Sequence, residues 1–153
     1  MEVRAKKSLG QHFLTDQSIA QRIVDALEVV SDGDGHVFGD RMPVLEVGPG
    51  MGVLSQYLLD KENIDLKMIE IDRESVDYLL SHFPKAYGRV LEGDFLKLKL
   101  DAVMGQGHFA VIGNFPYNIS SQIFFKILDS RDSIPQVVCM IQKEVAERIA
   151  EKP

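Results

Sequence analysis

The sequence predicts an α/β protein built on a doubly wound, mainly parallel sheet. From Pro43 onward, short apolar runs alternate with helical stretches, and turn-forming residues separate the two. Glycines also cluster directly behind the first run, at Gly48, Gly50 and Gly52. Strands alternating with helices at this spacing form βαβ units, whose crossovers are right-handed and whose strands run parallel.

Ahead of the sheet, residues 1–15 are basic, glycine-containing and irregular. A helix is expected from Asp16 or Gln17 to about Val29. Ile19, Ile23, Val24 and Leu27 share one face, and Asp16 stands where an N-cap belongs. Ser31-Asp32-Gly33-Asp34-Gly35 then stops the chain turning. Asp32 and Asp34 resemble the opening of a calcium loop, but its twelfth position would be Pro43 instead of glutamate, so a solvated loop is expected.

Val44-Leu45-Glu46-Val47 reads as the first strand, and the glycines after it lead into a helix ending near Leu59. Residues 67–71 form a second strand, with a helix through Val76, Leu79 and Leu80. A third, shorter strand covers 88–92 and a fourth 109–112, before a helix from about Ser120 to Leu128. Residues 136–141 form a fifth strand, and a last helix begins near Gln142.

Composition narrows the functional classes. With 153 residues, 45% apolar and 26% charged, the chain can bury one core and is neither disordered nor fibrous. No apolar run approaches the roughly 20 residues that span a bilayer, and no apolar stretch follows the charged N-terminus. A single cysteine, Cys139, excludes an internal disulfide and a zinc quartet, so a soluble, cytoplasmic, metal-free protein is expected. The net charge of −6 argues against a general nucleic-acid binder, because phosphate affinity comes largely from Lys and Arg.

Ligands of open parallel sheets bind beyond the carboxyl ends of the strands, where strand order reverses. Four strand ends therefore carry the candidates. Glu46-Val47-Gly48-Pro49-Gly50-Met51-Gly52 lets the backbone turn tightly and approach a ligand, with helix amides facing the same space. It differs from the dinucleotide pattern G-x-G-x-x-G and is weak alone. Glu70 ends the second strand, about 20 residues on, where an acid accepts hydrogen bonds from both ribose hydroxyls. The bland alternative is an exposed strand-end carboxylate. Together the two point to an adenosine-containing cofactor, either a nicotinamide dinucleotide or S-adenosylmethionine.

Asp94, in Glu92-Gly93-Asp94-Phe95, can accept the exocyclic amine of an adenine, with Phe95 against a ring face. Gly113-Asn114-Phe115-Pro116-Tyr117-Asn118 follows the fourth strand and decides between the cofactors. An adenine amino nitrogen is a poor nucleophile because its lone pair is delocalised into the ring. Carbonyls of Asn114 and Pro116 would each accept one of its N–H groups, and Tyr117 would stack a base drawn from its helix. Such a site works by positioning and electrostatic assistance, without a covalent intermediate.

The remaining residues read as structural. Cys139 and the pair Phe124-Phe125 are expected in the core. His36, His82 and His108 have neither metal spacing nor a nucleophile partner, and Gln142-Lys143-Glu144 reads as a solvated helix start.

Taken in order, Lys7-Ser8-Leu9-Gly10-Gln11-His12-Phe13-Leu14, the glycine segment, Ile69-Glu70-Ile71-Asp72, Gly93-Asp94, residues 113–121 and Met140-Ile141-Gln142-Lys143-Glu144-Val145-Ala146 resemble one family along the whole chain. It is that of the small-subunit ribosomal RNA adenine N6,N6-dimethyltransferases of the kasugamycin-resistance type. The resemblance implies a Rossmann-like methyltransferase domain over 1–153, with residues 1–15 closing on the cofactor site. It implies methyl transfer from S-adenosylmethionine to two adjacent adenosines near the 3′ end of the RNA, late in subunit assembly. By position it assigns His12 and Leu14 to cofactor contact, Gly48 and Gly50 to the methionine side, Glu70 to the ribose and Asp94 to the adenine. Asn114 would sit beside the transferring methyl, with Pro116 and Tyr117 completing the catalytic set.

His12 stands where many members have asparagine, and Phe115 where leucine is usual, a change expected to matter only for packing. The family's further strands and helical domain have no counterpart in 153 residues, so the sequence reads as a truncated piece with an uncovered sheet edge at 136–141. Edge pairing with another chain is then expected. The acidic balance fits a piece whose RNA-binding charge lies mainly elsewhere, apart from Arg4, Lys6 and Lys7. An NAD-linked oxidoreductase and a non-catalytic assembly factor are the competing expectations.

Overall fold

The computed structural model describes residues 17–28, 41–115 and 119–140. Its elements are α1 (Gln17–Asp25), β1 (Met42–Val47), α2 (Ser55–Leu58), β2 (Ile64–Glu70), α3 (Arg73–His82), β3 (Val90–Glu92), α4 (Leu100–Met104), β4 (Ala110–Asn114), α5 (Ser120–Asp129) and β5 (Gln136–Met140). The strands form one five-stranded sheet in the order β3-β2-β1-β4-β5, and every neighbouring pair is parallel. The chain moves outward from β1 to β3, then returns to the far side of β1 for β4. Strand order therefore reverses between β1 and β4, where the fold class places a ligand.

Pleating sends alternate residues of each strand to opposite faces, so the sheet carries two cores. Met42 and Val44 join Ala20 and Val24 of α1 and Leu54 and Leu58 around α2. Leu45 and Val47 join Phe95, Leu100 and, from α5, Ile123 and Ile127. This double burial is why β1 and β4 read as nearly unbroken apolar runs. The edges differ. β3 is only three residues long and mostly exposed, with Glu92 paired to Arg73 at 3.1 Å, while all five β5 residues are half-buried.

Several boundaries shift from the expected ones. α1 ends at Asp25 instead of near Val29, although Leu27 beyond it is still buried. β2 begins at Ile64, because its alternate residues Ile64 and Leu66 bury against the α1–α2 core, and it stops before Ile71, which is 51% exposed. β3 cannot start at Gly88, whose φ of 81° belongs to a turn. α2 shrinks to four residues, and α4 was not anticipated; it is five residues long, anchored by buried Leu100 and ended at Gly105 with φ 78°. Helices this short are held by packing, so they leave little periodicity to read.

Phe124 meets Phe115 edge to face, with ring centroids 5.6 Å apart, so both pack as expected. Its neighbour Phe125 corrects the expectation of a core pair: it is 38% exposed, because consecutive helical residues point about 100° apart. His82 stacks on Tyr78 at 3.8 Å, a structural role. Cys139 is half-buried, and desolvation pushes its thiol up to about 11, which makes it a poor nucleophile at neutral pH. Among the described residues no helix is long and apolar enough to cross a membrane, and no three His, Cys, Asp or Glu side chains gather to hold a metal. The expected Asp16 cap, the 31–35 loop, His36 and the last helix with residues 142–144 lie outside the described residues.

Candidate active site

The glycine segment begins where β1 ends. The Gly48 amide still donates to Ile69 at 2.9 Å, extending the β1–β2 ladder by one step. Gly48, Gly50 and Gly52 then take φ values of 70°, 58° and 81°, a conformation that side chains other than glycine's rarely adopt. The alternating glycines do different work. A Cβ on Gly50 would meet nothing within 4 Å, so this part of the loop faces open space. A Cβ on Gly52 would lie 2.5 Å from the Phe83 ring, so that glycine is required by packing under α3.

Two acids stand beside this loop, both fully buried. Glu70 ends β2, and its Oε1 accepts the Gly50 amide at 2.8 Å while Oε2 accepts the Asp72 amide at 3.0 Å. The exposed-carboxylate alternative is therefore excluded, since Glu70 is 0% exposed. Burial raises its pKa above the ordinary carboxylate value, the Asp72 and Gly50 amides oppose that rise, and the Asp72 charge adds to it. A carboxylate offers about four acceptor positions, and backbone amides of Gly50, Asp72 and Ile71 act on this one.

Glu46 lies one strand over, within β1. Its Oε1 accepts the Ser55 hydroxyl at 2.6 Å, at the start of α2. Desolvation pushes its carboxyl up to about 8, against the lowering pull of Ser55 and with a smaller push from Glu70. Sequence reasoning gave Glu46 no role beyond the strand. An acid flanked by Leu45 and Val47, with a serine nine residues on, was the available signal.

Asp94 opens a 3-10 turn after β3, and its Oδ1 accepts the Leu96 amide at 2.9 Å. A cleft runs between this turn and the start of α5, walled by Val47, Gly48, Glu70, Asp94, Phe95 and Ile123, with Ile119 and Ile71 at its sides. Glu70 and Asp94 thus line one cleft, each from the end of one of two neighbouring strands. Ile119 and Ile123 are additions the sequence did not reveal, because they belong to the helix after the next strand. Asn114 ends β4 half-buried. Val47 pairs with Gly113, so the residues that follow, Gly48 and Asn114, emerge side by side from neighbouring strands. Gly113 permits this approach: a Cβ there would lie 2.5 Å from the Val47 carbonyl oxygen. His12, Leu14, Pro116 and Tyr117 lie outside the described residues.

The described residues fit an adenosyl cofactor. A buried carboxylate held by loop amides suits a ribose diol, a mainly apolar cleft that Asp94 also lines suits an adenine, and the open face at Gly50 leaves room along the backbone.

The family model described as ribosomal RNA adenine dimethylase matches residues 2–153. The chain is 55% identical over 151 residues to ribosomal RNA small subunit methyltransferase A of Parabacteroides distasonis, covering 99% of this chain and 53% of that protein. It is 54% identical to the protein of the same name from Cytophaga hutchinsonii, covering 99% and 55%. The chain thus spans about half the length of these curated relatives. Among solved structures it is similar to a dimethyladenosine transferase from Plasmodium falciparum, at 29% identity and a TM-score of 0.64, covering 92% of this chain and 47% of that one. The delta-N METTL16 methyltransferase domain shares the fold at 13% identity and a TM-score of 0.68, covering 88% and 69%. The fold is the Rossmann-like methyltransferase fold, and the chain belongs to the ribosomal RNA adenine dimethylase family.

Proposed function

We propose that this chain is the cofactor-binding and methyl-transferring part of an enzyme that modifies small-subunit ribosomal RNA. It moves methyl groups from S-adenosylmethionine to the N6 amines of two adjacent adenosines near the 3′ end, during ribosome biogenesis in the cytoplasm. The observation that carries this reading is the fully buried Glu70, held by the Gly50 amide at the rim of a cleft that Asp94 also lines. Family membership supports S-adenosylmethionine over a nicotinamide.

The cofactor's sulfonium supplies an electrophilic methyl group; the chain supplies everything else. Glu70 would receive the ribose hydroxyls, and Asp94 would accept from the adenine amine. Gly48 and Gly50 would let the backbone lie against the methionine part, and the family resemblance adds His12 and Leu14 as cofactor contacts. Asn114 and Pro116 would accept the two N–H bonds of the target amine and hold its nitrogen toward the methyl group, and Tyr117 would stack the extruded base; the sulfur–methyl bond breaks as the nitrogen–methyl bond forms, and the amine's proton passes to water. No side chain needs to titrate in that step.

The substrate is RNA in the pre-ribosomal small subunit, although the acidic balance predicts weak RNA affinity for this chain alone. The half-buried β5 edge extends the reading to pairing between chains, and a clean monomer in size-exclusion chromatography would count against that extension. The principal test is methyl transfer to unmethylated small subunits, with this chain and a full-length relative in parallel. Transfer by both supports the whole reading. If the chain binds S-adenosylhomocysteine and transfers nothing, its role stops at cofactor binding; if it does not bind the cofactor product either, the reading is wrong.

A further inference from the structure

We infer that Lys126 is a positioning residue that sets how the cleft recognises adenine, an inference that rests on the cofactor reading above. Lys126 lies on α5, the helix that follows Asn114 and whose first turn supplies Ile123 to the cleft. Its ammonium reaches across to the 3-10 turn behind Asp94. There it donates to the backbone carbonyls of Phe95 and, at 2.5 Å, Leu98. It also sits 4.8 Å from the centre of the Phe95 ring.

The placement is unusual for a lysine on a helix face otherwise used for packing. The ammonium is only partly hydrated, and burial lowers its pKa while the Asp94 charge opposes that fall. Three things are thereby tied together. The carbonyl end of a one-turn helix gains a cation, the favourable sign for that end. The Phe95 ring gains a charge on its face. The turn that aims Asp94, through its Oδ1 and the Leu96 amide, is fastened to the opposite wall of the cleft. A 3-10 turn of three residues has few bonds of its own, so its geometry depends on this outside hold. Lys126 therefore sets both the gap between the walls and the direction of the Asp94 carboxylate, without touching the ligand.

The test uses two probes, S-adenosylhomocysteine and S-inosylhomocysteine, in which the adenine amine is replaced by oxygen. Both are titrated calorimetrically into the chain and into Lys126→Met, which keeps the alkyl stem and loses the donors. A purely structural role weakens both probes equally. A positioning role weakens the adenosyl probe more, so the preference between the two falls by about tenfold, the scale of one charged hydrogen bond. Lys126→Arg keeps the charge and donors, and it is expected to recover a substantial part of the preference even if Lys126→Met folds poorly. An unchanged ratio in Lys126→Met with native circular dichroism overturns the inference and leaves the cofactor reading intact. So does a Lys126→Arg variant that binds both probes with the preference lost. A wild-type chain that binds neither probe overturns the cofactor reading itself, and the inference with it.

Discussion

Glu46 and Glu70 belong to neighbouring strands and share one face of the sheet, and both are buried acids whose pKa values burial raises, yet their bonded partners differ. Glu46 is fully buried and bonded to Ser55 at the start of α2. Glu70 is bonded by two amides, of Gly50 and Asp72, from the loops beside the cleft that it helps to line. The glycines divide in the same way, with Gly52 committed to Phe83 and Gly50 left open. Burial alone does not mark a functional acid; what the bonded partners belong to does.

The largest expected effect lies on the cleft side. Asn114→Ala should lower methyl transfer by ~10²-fold or more, the scale of losing one preorganised polar group, while binding of S-adenosylhomocysteine stays nearly unchanged. Equal rates for the two proteins would remove Asn114 from the reaction. Next is Glu70→Gln, which loses a charged acceptor for the ribose. Its affinity for S-adenosylhomocysteine should fall by about 10- to 100-fold, with a loss of about 1–3 kcal/mol of stability, because the glutamine NH2 would oppose one of the two amide donors that Glu70 accepts. Unchanged affinity in calorimetry would collapse the distinction between the two acids.

The glycine pair gives a smaller, crossed pattern. Gly52→Ala should cost about 1–3 kcal/mol of stability in denaturant unfolding, because the new methyl meets Phe83 at a positive φ. Gly50→Ala should cost less stability and more cofactor affinity. The same ranking in both assays would mean that the loop has one role throughout.

The smallest effect is one of pH. Glu46 binds its proton more tightly in the folded chain, with a pKa raised from 4.5 to about 8, so the stability it contributes is complete below its unfolded value and lost as pH rises through about 8. Glu70 shifts in the same direction. The melting temperature should therefore fall between about pH 5 and pH 8. Glu46→Gln, which can still accept from Ser55, should flatten much of that fall. An identical slope in the variant would show that Glu46 does not titrate there.

Much of this was legible in the residues. Alternating apolar runs predicted the parallel sheet, and the ends of those runs named Gly48, Glu70, Asp94 and Asn114. Strand periodicity places a side chain on a face, and strand-end position places it near the ligand side of such a sheet. Less legible were short elements without a period, such as α4, and contacts between residues far apart in the chain. Lys126 is 31 residues from Phe95, and nothing in its local pattern of Phe124, Phe125 and Ile127 announces a cation turned toward backbone carbonyls.

The local pattern of residues thus determined the fold class, the strand ends and the residue types that an adenosyl ligand requires, because these follow from pleating and from backbone conformations reserved to glycine. Packing alone decided the rest. Only the assembled sheet withdrew Glu70 from water and met it with the Gly50 amide, assigned Gly52 to Phe83 instead of the ligand, and laid Lys126 across the turn behind Asp94. The physical reason is shared by all three: solvation, steric contact and hydrogen-bond partnership depend on which residues meet in space, and chain spacing does not encode that.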